Sequence, residues 1–193
     1  MTTSSQPSAA RLALLAALLV ALLLALAGCA MPRQETPSQI DQPGGGVNPE
    51  SVTQSFFEDL GSALKDPQLA DDDKRGAWAE RLAGYFAPAE RDDQRIALGS
   101  ALDNFASGLG KLEDNESLTL ELRFERVVKI SEANDRARVR PVNGSIYVLI
   151  TRSTTAGVVT LYEDNVSLDK IIGGDDGAVP VVRIGRTWYL SEG

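Results

Sequence analysis

The chain has 193 residues, 27 acidic against 19 basic, with no histidine and a single cysteine. Without histidine there is no imidazole general base, no Ser-His-Asp triad and no His metal ligand. With one cysteine there is no intramolecular disulfide and no thiolate zinc site, so no metal or cofactor is expected and any catalysis would rest on Asp, Glu, Lys, Tyr or Ser. The acidic balance repels phosphate backbones and anionic headgroups, so nucleic acid is not an expected partner.

The positions Leu12 to Ala27 are all Ala, Leu or Val, 16 in succession, and the run ends in Leu26-Ala27-Gly28-Cys29. A helix of that length reaches about 24 Å, short of the ~30 Å hydrocarbon core of a bilayer. It suits the h-region of a cleaved signal, with Arg11 supplying positive charge before it. The four closing residues resemble the lipobox of bacterial lipoproteins: an aliphatic residue, two small ones that a peptidase site admits, then a cysteine whose thiol is lipidated. The resemblance implies that residues 1–28 are removed. It implies too that Cys29 carries a diacylglyceryl group and a further acyl chain such as palmitate, on the extracytoplasmic side of a membrane of the cell envelope. Two long chains at ~0.8 kcal/mol per buried CH₂ anchor stably where one does not. No basic patch is expected to assist that anchor.

Between Cys29 and Asn48 the chain is rich in Pro, Gly, Gln and Ser, has no apolar period, and reads as a disordered tether over residues 29–48. Its flexible-chain reach is about 25 Å. For Gly44-Gly45-Gly46 a hinge is a sufficient role.

The folded domain is expected over residues 49–193, long enough to bury roughly two-thirds of its unfolded surface in one core. Asn48-Pro49 is a helix start, with Phe56, Phe57, Leu60 and Leu64 on one face before Pro67. Asp71-Asp72-Asp73 opens a second helix, carrying Trp78, Leu82, Tyr85 and Phe86 to Pro88. A third, from about Ala89, carries Leu98, Leu102, Phe105 and Leu109.

From Leu118 the period becomes two: Leu118, Leu120, Leu122 and Phe124 alternate with Thr119, Glu121, Arg123 and Glu125. Arg136, Arg138 and Arg140 alternate with Ala137, Val139 and Pro141 before Asn143-Gly144, the favoured pair for a two-residue type I′ turn. That turn would pair Val142 with Ser145, and Val139 with Val148. Further strands are expected at Val158 to Tyr162, Val166 to Ile172, Val179 to Ile184 and Thr187 to Leu190, with turns at Ala156-Gly157, Gly173 to Gly177 and Gly185-Arg186.

Helices first and strands second describe an α+β domain, with N-terminal helices packed on a curved antiparallel sheet of about five to six strands. Its helix-rich first half, long Leu118 strand and closing Gly185-Arg186-Thr187-Trp188-Tyr189-Leu190 resemble the NTF2-like superfamily, in which a curved sheet wraps a few helices. Enzymes of that superfamily commonly use an Asp–His pair, and this chain has no histidine. The resemblance therefore implies a non-catalytic binding or protein-interaction domain, able to form a homodimer and to take a small ligand or an envelope protein as partner. Rival readings are a carrier of a small apolar ligand or lipid, and a carboxylate-based hydrolase or lyase. If the Leu118 strand continues unbroken, Arg126 points inward and could hold an anion in a pocket lined by Trp78, Tyr85, Tyr147 and Tyr162. A bulge at Glu125–Arg126 would instead turn Arg126 to solvent and bring Val127 in. Trp188 is expected to be structural.

Overall fold

The computed structural model describes residues 44–170 and 177–192. The leader, Cys29 and tether residues 30–43 lie outside the described residues, as do the end of the expected Val166 strand and most of the Gly173 turn.

Helices α1 (Pro49–Ala63), α2 (Asp72–Ala83) and α3 (Arg91–Leu109) come first. Asn48, in extended conformation, accepts a hydrogen bond from the Ser51 backbone N–H at 2.7 Å and its own backbone N–H donates to Ser51 Oγ at 3.4 Å, a capping box with Pro49 in the first turn. Asp71 caps α2 by accepting from the backbone N–H groups of Asp73 and Lys74. The second helix ends before Tyr85 and Phe86, which were expected on it. Leu190 donates to the Tyr85 carbonyl at 2.8 Å and Ala87 to the Leu190 carbonyl at 2.9 Å, drawing this stretch out of the helix and onto the sheet edge.

Seven strands follow among the described residues, where five or six were expected: β1 (Glu116–Arg123), β2 (Arg126–Ala133), β3 (Arg136–Val142), β4 (Ser145–Thr154), β5 (Gly157–Ser167), β6 (Val179–Ile184) and β7 (Thr187–Leu190). They form two antiparallel sheets, ordered β1-β4-β5 and β2-β3-β6-β7. The expected strands at Val158 and Val166 are one, β5, followed by a 3-10 turn at Leu168–Lys170.

Asn143-Gly144 does not close a hairpin. Val142 pairs with Arg126 and Ser145 with Arg123, so β3 and β4 lie in different sheets. Asn143 has φ 53°, whereas Gly144 does not take the positive φ that a type I′ turn needs. The chain reverses instead at Asn134-Asp135, between paired Ala133 and Arg136, with Asn134 at φ 57°. β1 with β2, and β3 with β4, thus make the two arms of one long hairpin creased at mid-length. At the crease the Glu125 N–H donates to the Val142 carbonyl at 3.0 Å, and the Asn143 amide to the Glu125 carboxylate at 2.8 Å. Gly144 is required there for space: a Cβ would lie 2.8 Å from Cδ1 of the fully buried Leu168.

The creased hairpin makes the sheets concave around α1, which touches β1, β2, β3, β6 and β7. One apolar cluster joins Phe56, Phe57 and Leu60 of α1 to Leu82, Leu102, Leu120, Val139, Ile146, Val181 and Leu190. Trp188, 4 % exposed, belongs to it. The described chain starts within the fold. Gly46 and Trp188 exchange backbone hydrogen bonds at 2.9 and 2.8 Å, and a Cβ on Gly44 would sit 2.3 Å from the Gly84 carbonyl carbon. Gly44–Asn48 are therefore docked structure, which shortens the expected tether.

Candidate functional site

Of the five residues proposed from sequence to line a pocket, the structure brings two together. Asp59 on α1 accepts hydrogen bonds from Arg81 Nε at 2.6 Å, Arg81 Nη2 at 2.7 Å and the Tyr85 hydroxyl at 2.6 Å. The Arg81 guanidinium lies 5.7 Å from the Trp78 ring, whose indole N–H donates to Asp66 at 2.7 Å. This network pins α2 and the chain after it to α1. Burial pushes the Asp59 carboxyl up, but the hydrogen bonds from Arg81 and Tyr85 and the Arg81 charge outweigh it and hold it below its ordinary 3.8. Burial and then the hydrogen bond to Asp59 push the Tyr85 phenol up to about 12. Asp59 accepts three hydrogen bonds and faces the Arg81 charge, so the cluster is a clasp between α1 and the chain of α2 and Tyr85.

Tyr147 and Tyr162 hang on the three-stranded sheet and face opposite ways. Tyr162 pairs with the buried Ile150, whereas Tyr147, three residues before it on β4, takes the other face. There its hydroxyl donates to Glu163 at 3.0 Å under the Arg123 guanidinium, 4.8 Å from the ring. The Tyr162 hydroxyl donates to Asp164 at 2.9 Å. The four aromatics do not share a cavity.

Arg126 is exposed, and Val127 beside it is buried at 7 % exposure. The strand breaks at Phe124-Glu125, where the crease resets the alternation. The inward-pointing arginine, and the anion pocket built on it, are thereby excluded. Arg126 instead joins a set the sequence reading did not assemble. Register places Arg140 beside Val128, so Arg126, Val128, Arg136, Arg138 and Arg140 all stand on the outer face of the four-stranded sheet, opposite the buried Val127, Ala137 and Val139. Arg126, Arg136 and Arg140 are exposed and make no ion pair among the described residues; Arg138 is engaged within the fold. The Arg-x-Arg-x-Arg alternation was the available signal. The contribution of Arg126 depended on the crease.

At the chain's end the buried Gln94 amide donates to Glu192, while Ser191 Oγ and the Glu192 N–H donate to Glu90 at 2.9 and 3.1 Å. Gln94 Oε1 is buried without a donor. Among the described residues no group of three or more His, Cys, Asp or Glu side chains is placed to hold a metal ion, and no helix is long and apolar enough to cross a membrane. No family model matches this chain, and neither the curated proteins nor the solved structures offer a match.

Proposed function

We propose that this protein is a lipid-anchored component of the bacterial cell envelope, whose α+β domain serves as a non-catalytic binding or protein-interaction module of the NTF2-like kind. The observation that carries the anchor is the unbroken Ala/Leu/Val run ending in Leu26-Ala27-Gly28-Cys29. The NTF2-like assignment is supported by three leading helices, a long creased hairpin and a first helix lying in its concavity. A non-catalytic role is supported by the absence of histidine and by the closed hydrogen bonding of Asp59, the most enclosed carboxylate–phenol pair described.

The test is intact mass spectrometry of the protein recovered from membranes. The expected species begins at Cys29 and carries the added mass of a diacylglyceryl group and a fatty acid. The C29S variant should accumulate as an unprocessed, unacylated precursor. A processed, lipid-bearing C29S protein would overturn the reading. Native mass spectrometry of the same sample reads oligomeric state and any co-purifying ligand, and bound lipid there would move the domain to the carrier class.

A further inference from the structure

Net charge argues that this protein avoids anionic surfaces, yet one face of its four-stranded sheet is basic. α2 and α3 carry six acids (Asp72, Asp73, Glu80, Asp92, Asp93 and Asp103) against five bases (Lys74, Arg75, Arg81, Arg91 and Arg95), with Asp72 and Asp103 paired to Arg75 and Glu80 to Arg95. The outer face of the four-stranded sheet carries exposed Arg126, Arg136 and Arg140 without ion-pair partners among the described residues. We propose that this arginine face is a docking surface for the anionic headgroups of the membrane that holds the anchor, which rests on the lipid-anchor reading above.

Three observations converge on the membrane as the occupant. First, chemistry: guanidinium groups are weakly hydrated and bind phosphate oxygens bidentately, and here half-buried Val128 and Val182 stand on the same face as the arginines, a mixture suited to an interface of headgroups and acyl carbon. Second, scale: Arg136 lies six residues along β3 from the partner of Arg126, so the cations extend over roughly 20 Å, a broad surface and not a point site. Third, placement. Tyr189, Val182 and Arg136 form one lateral row across β7, β6 and β3. Gly45 packs against Tyr189 of that row and against Thr187 beside it, so closely that a Cβ would lie 2.2 Å from Thr187 Cγ2. The described chain therefore begins at the rim of the arginine face, about 10 Å from Arg136 by strand spacing. Cys29 is 15 residues earlier, and a tether of the kind the composition predicts would reach about 20 Å. That leash is no longer than the patch is wide. A domain so held meets the bilayer continually, and the arginine face is the side drawn to anionic headgroups.

An arginine near an anionic leaflet gains about fivefold in local preference, so three give roughly a hundredfold bias towards the docked orientation, lost beyond a Debye length of about 8 Å at physiological salt. The test uses the acylated protein in vesicles of phosphatidylcholine alone or mixed with phosphatidylglycerol. It reads energy transfer from the tryptophans to a dansyl-labelled headgroup lipid, with flotation in parallel. Transfer should be severalfold higher in the anionic vesicles. It should fall to the neutral level in high salt and in the R126Q/R136Q/R140Q variant, whose circular dichroism should match wild type. Equal transfer in both vesicle types, or an unchanged triple variant, overturns the proposal; an acidic protein as the true occupant gives that result. Flotation with neutral vesicles tests the anchor separately. Protein that fails it lacks the lipid, and a salt-sensitive preference for anionic vesicles would still be read by flotation and still depend on the arginines.

Discussion

At the residue scale, Asp59 of α1 ties down both Arg81 of α2 and Tyr85 beyond it. Its side chain is 13 % exposed and receives two N–H donors from Arg81 and one hydroxyl. D59A should cost roughly 1–3 kcal/mol, because it leaves a guanidinium and a phenol without their acceptor, as read by urea denaturation at neutral pH. The folded carboxyl lies below its ordinary 3.8, so its contribution is complete above that pH and disappears as acid titrates the folded form. The stability gap between wild type and D59N should therefore close below about pH 4. The phenol runs the other way. The fold favours neutral Tyr85, so its contribution stands below the ordinary 10.0 and is lost as pH climbs towards 12. Y85F should flatten the alkaline limb of the stability profile, and an unchanged limb would show that the phenol is not tied to Asp59 in solution.

At the element scale, β7 is four residues long yet carries Trp188, Tyr189 and Leu190, all buried. Trp188 stacks under Arg183 at 5.4 Å and faces the core, so W188A should lower stability by about 3–5 kcal/mol and depress the melting temperature accordingly. Two residues before the Gly46 bridge to Trp188, Gly44 meets the Gly84–Tyr85 backbone with φ 111° and no room for a side chain. G44A should release Gly44–Asn48 to hydrogen exchange and protease while leaving the sheets protected. The helix starts and the period-two strands were legible in the sequence because caps and alternation are local. What was hidden had its cause elsewhere in the chain. Asn143-Gly144 has turn chemistry, but eight residue pairs between β1 and β4 fix the arms of the hairpin, and the pair is left to form a crease. Arg126 changed face with that crease. The three glycines had the composition of a linker, and only the nearness of Gly84 to Gly44, of Thr187 and Tyr189 to Gly45, and of Val52 to Gly46 shows that they are glycines for want of space.

For the whole molecule, one apolar cluster runs through all three helices and both sheets, with no second core among the described residues. Unfolding should therefore be a single cooperative event. Tryptophan fluorescence, which reports Trp78 in the helix layer and Trp188 in the sheet, and far-ultraviolet circular dichroism should give coincident urea midpoints. Separate midpoints would mean that the three-stranded sheet melts independently of the four-stranded one.

The Gly46–Trp188 bridge also decides what a pull on the chain's beginning would do. Force entering ahead of Gly44 arrives at two hydrogen bonds at the start of the described chain, where three glycines bring no side chains to interlock. They open before any load reaches α1, whose first turn is closed by Asn48 and Ser51. Their loss pays out about 10 Å of slack at ~3.4 Å per residue. The domain thus has a shock absorber built from glycine: a short, weak, re-zippable length of chain that yields first and spares the core. Stretched from its N-terminal side in an optical trap, the protein should show a small reversible extension well before the main rip, and G44A should lack it.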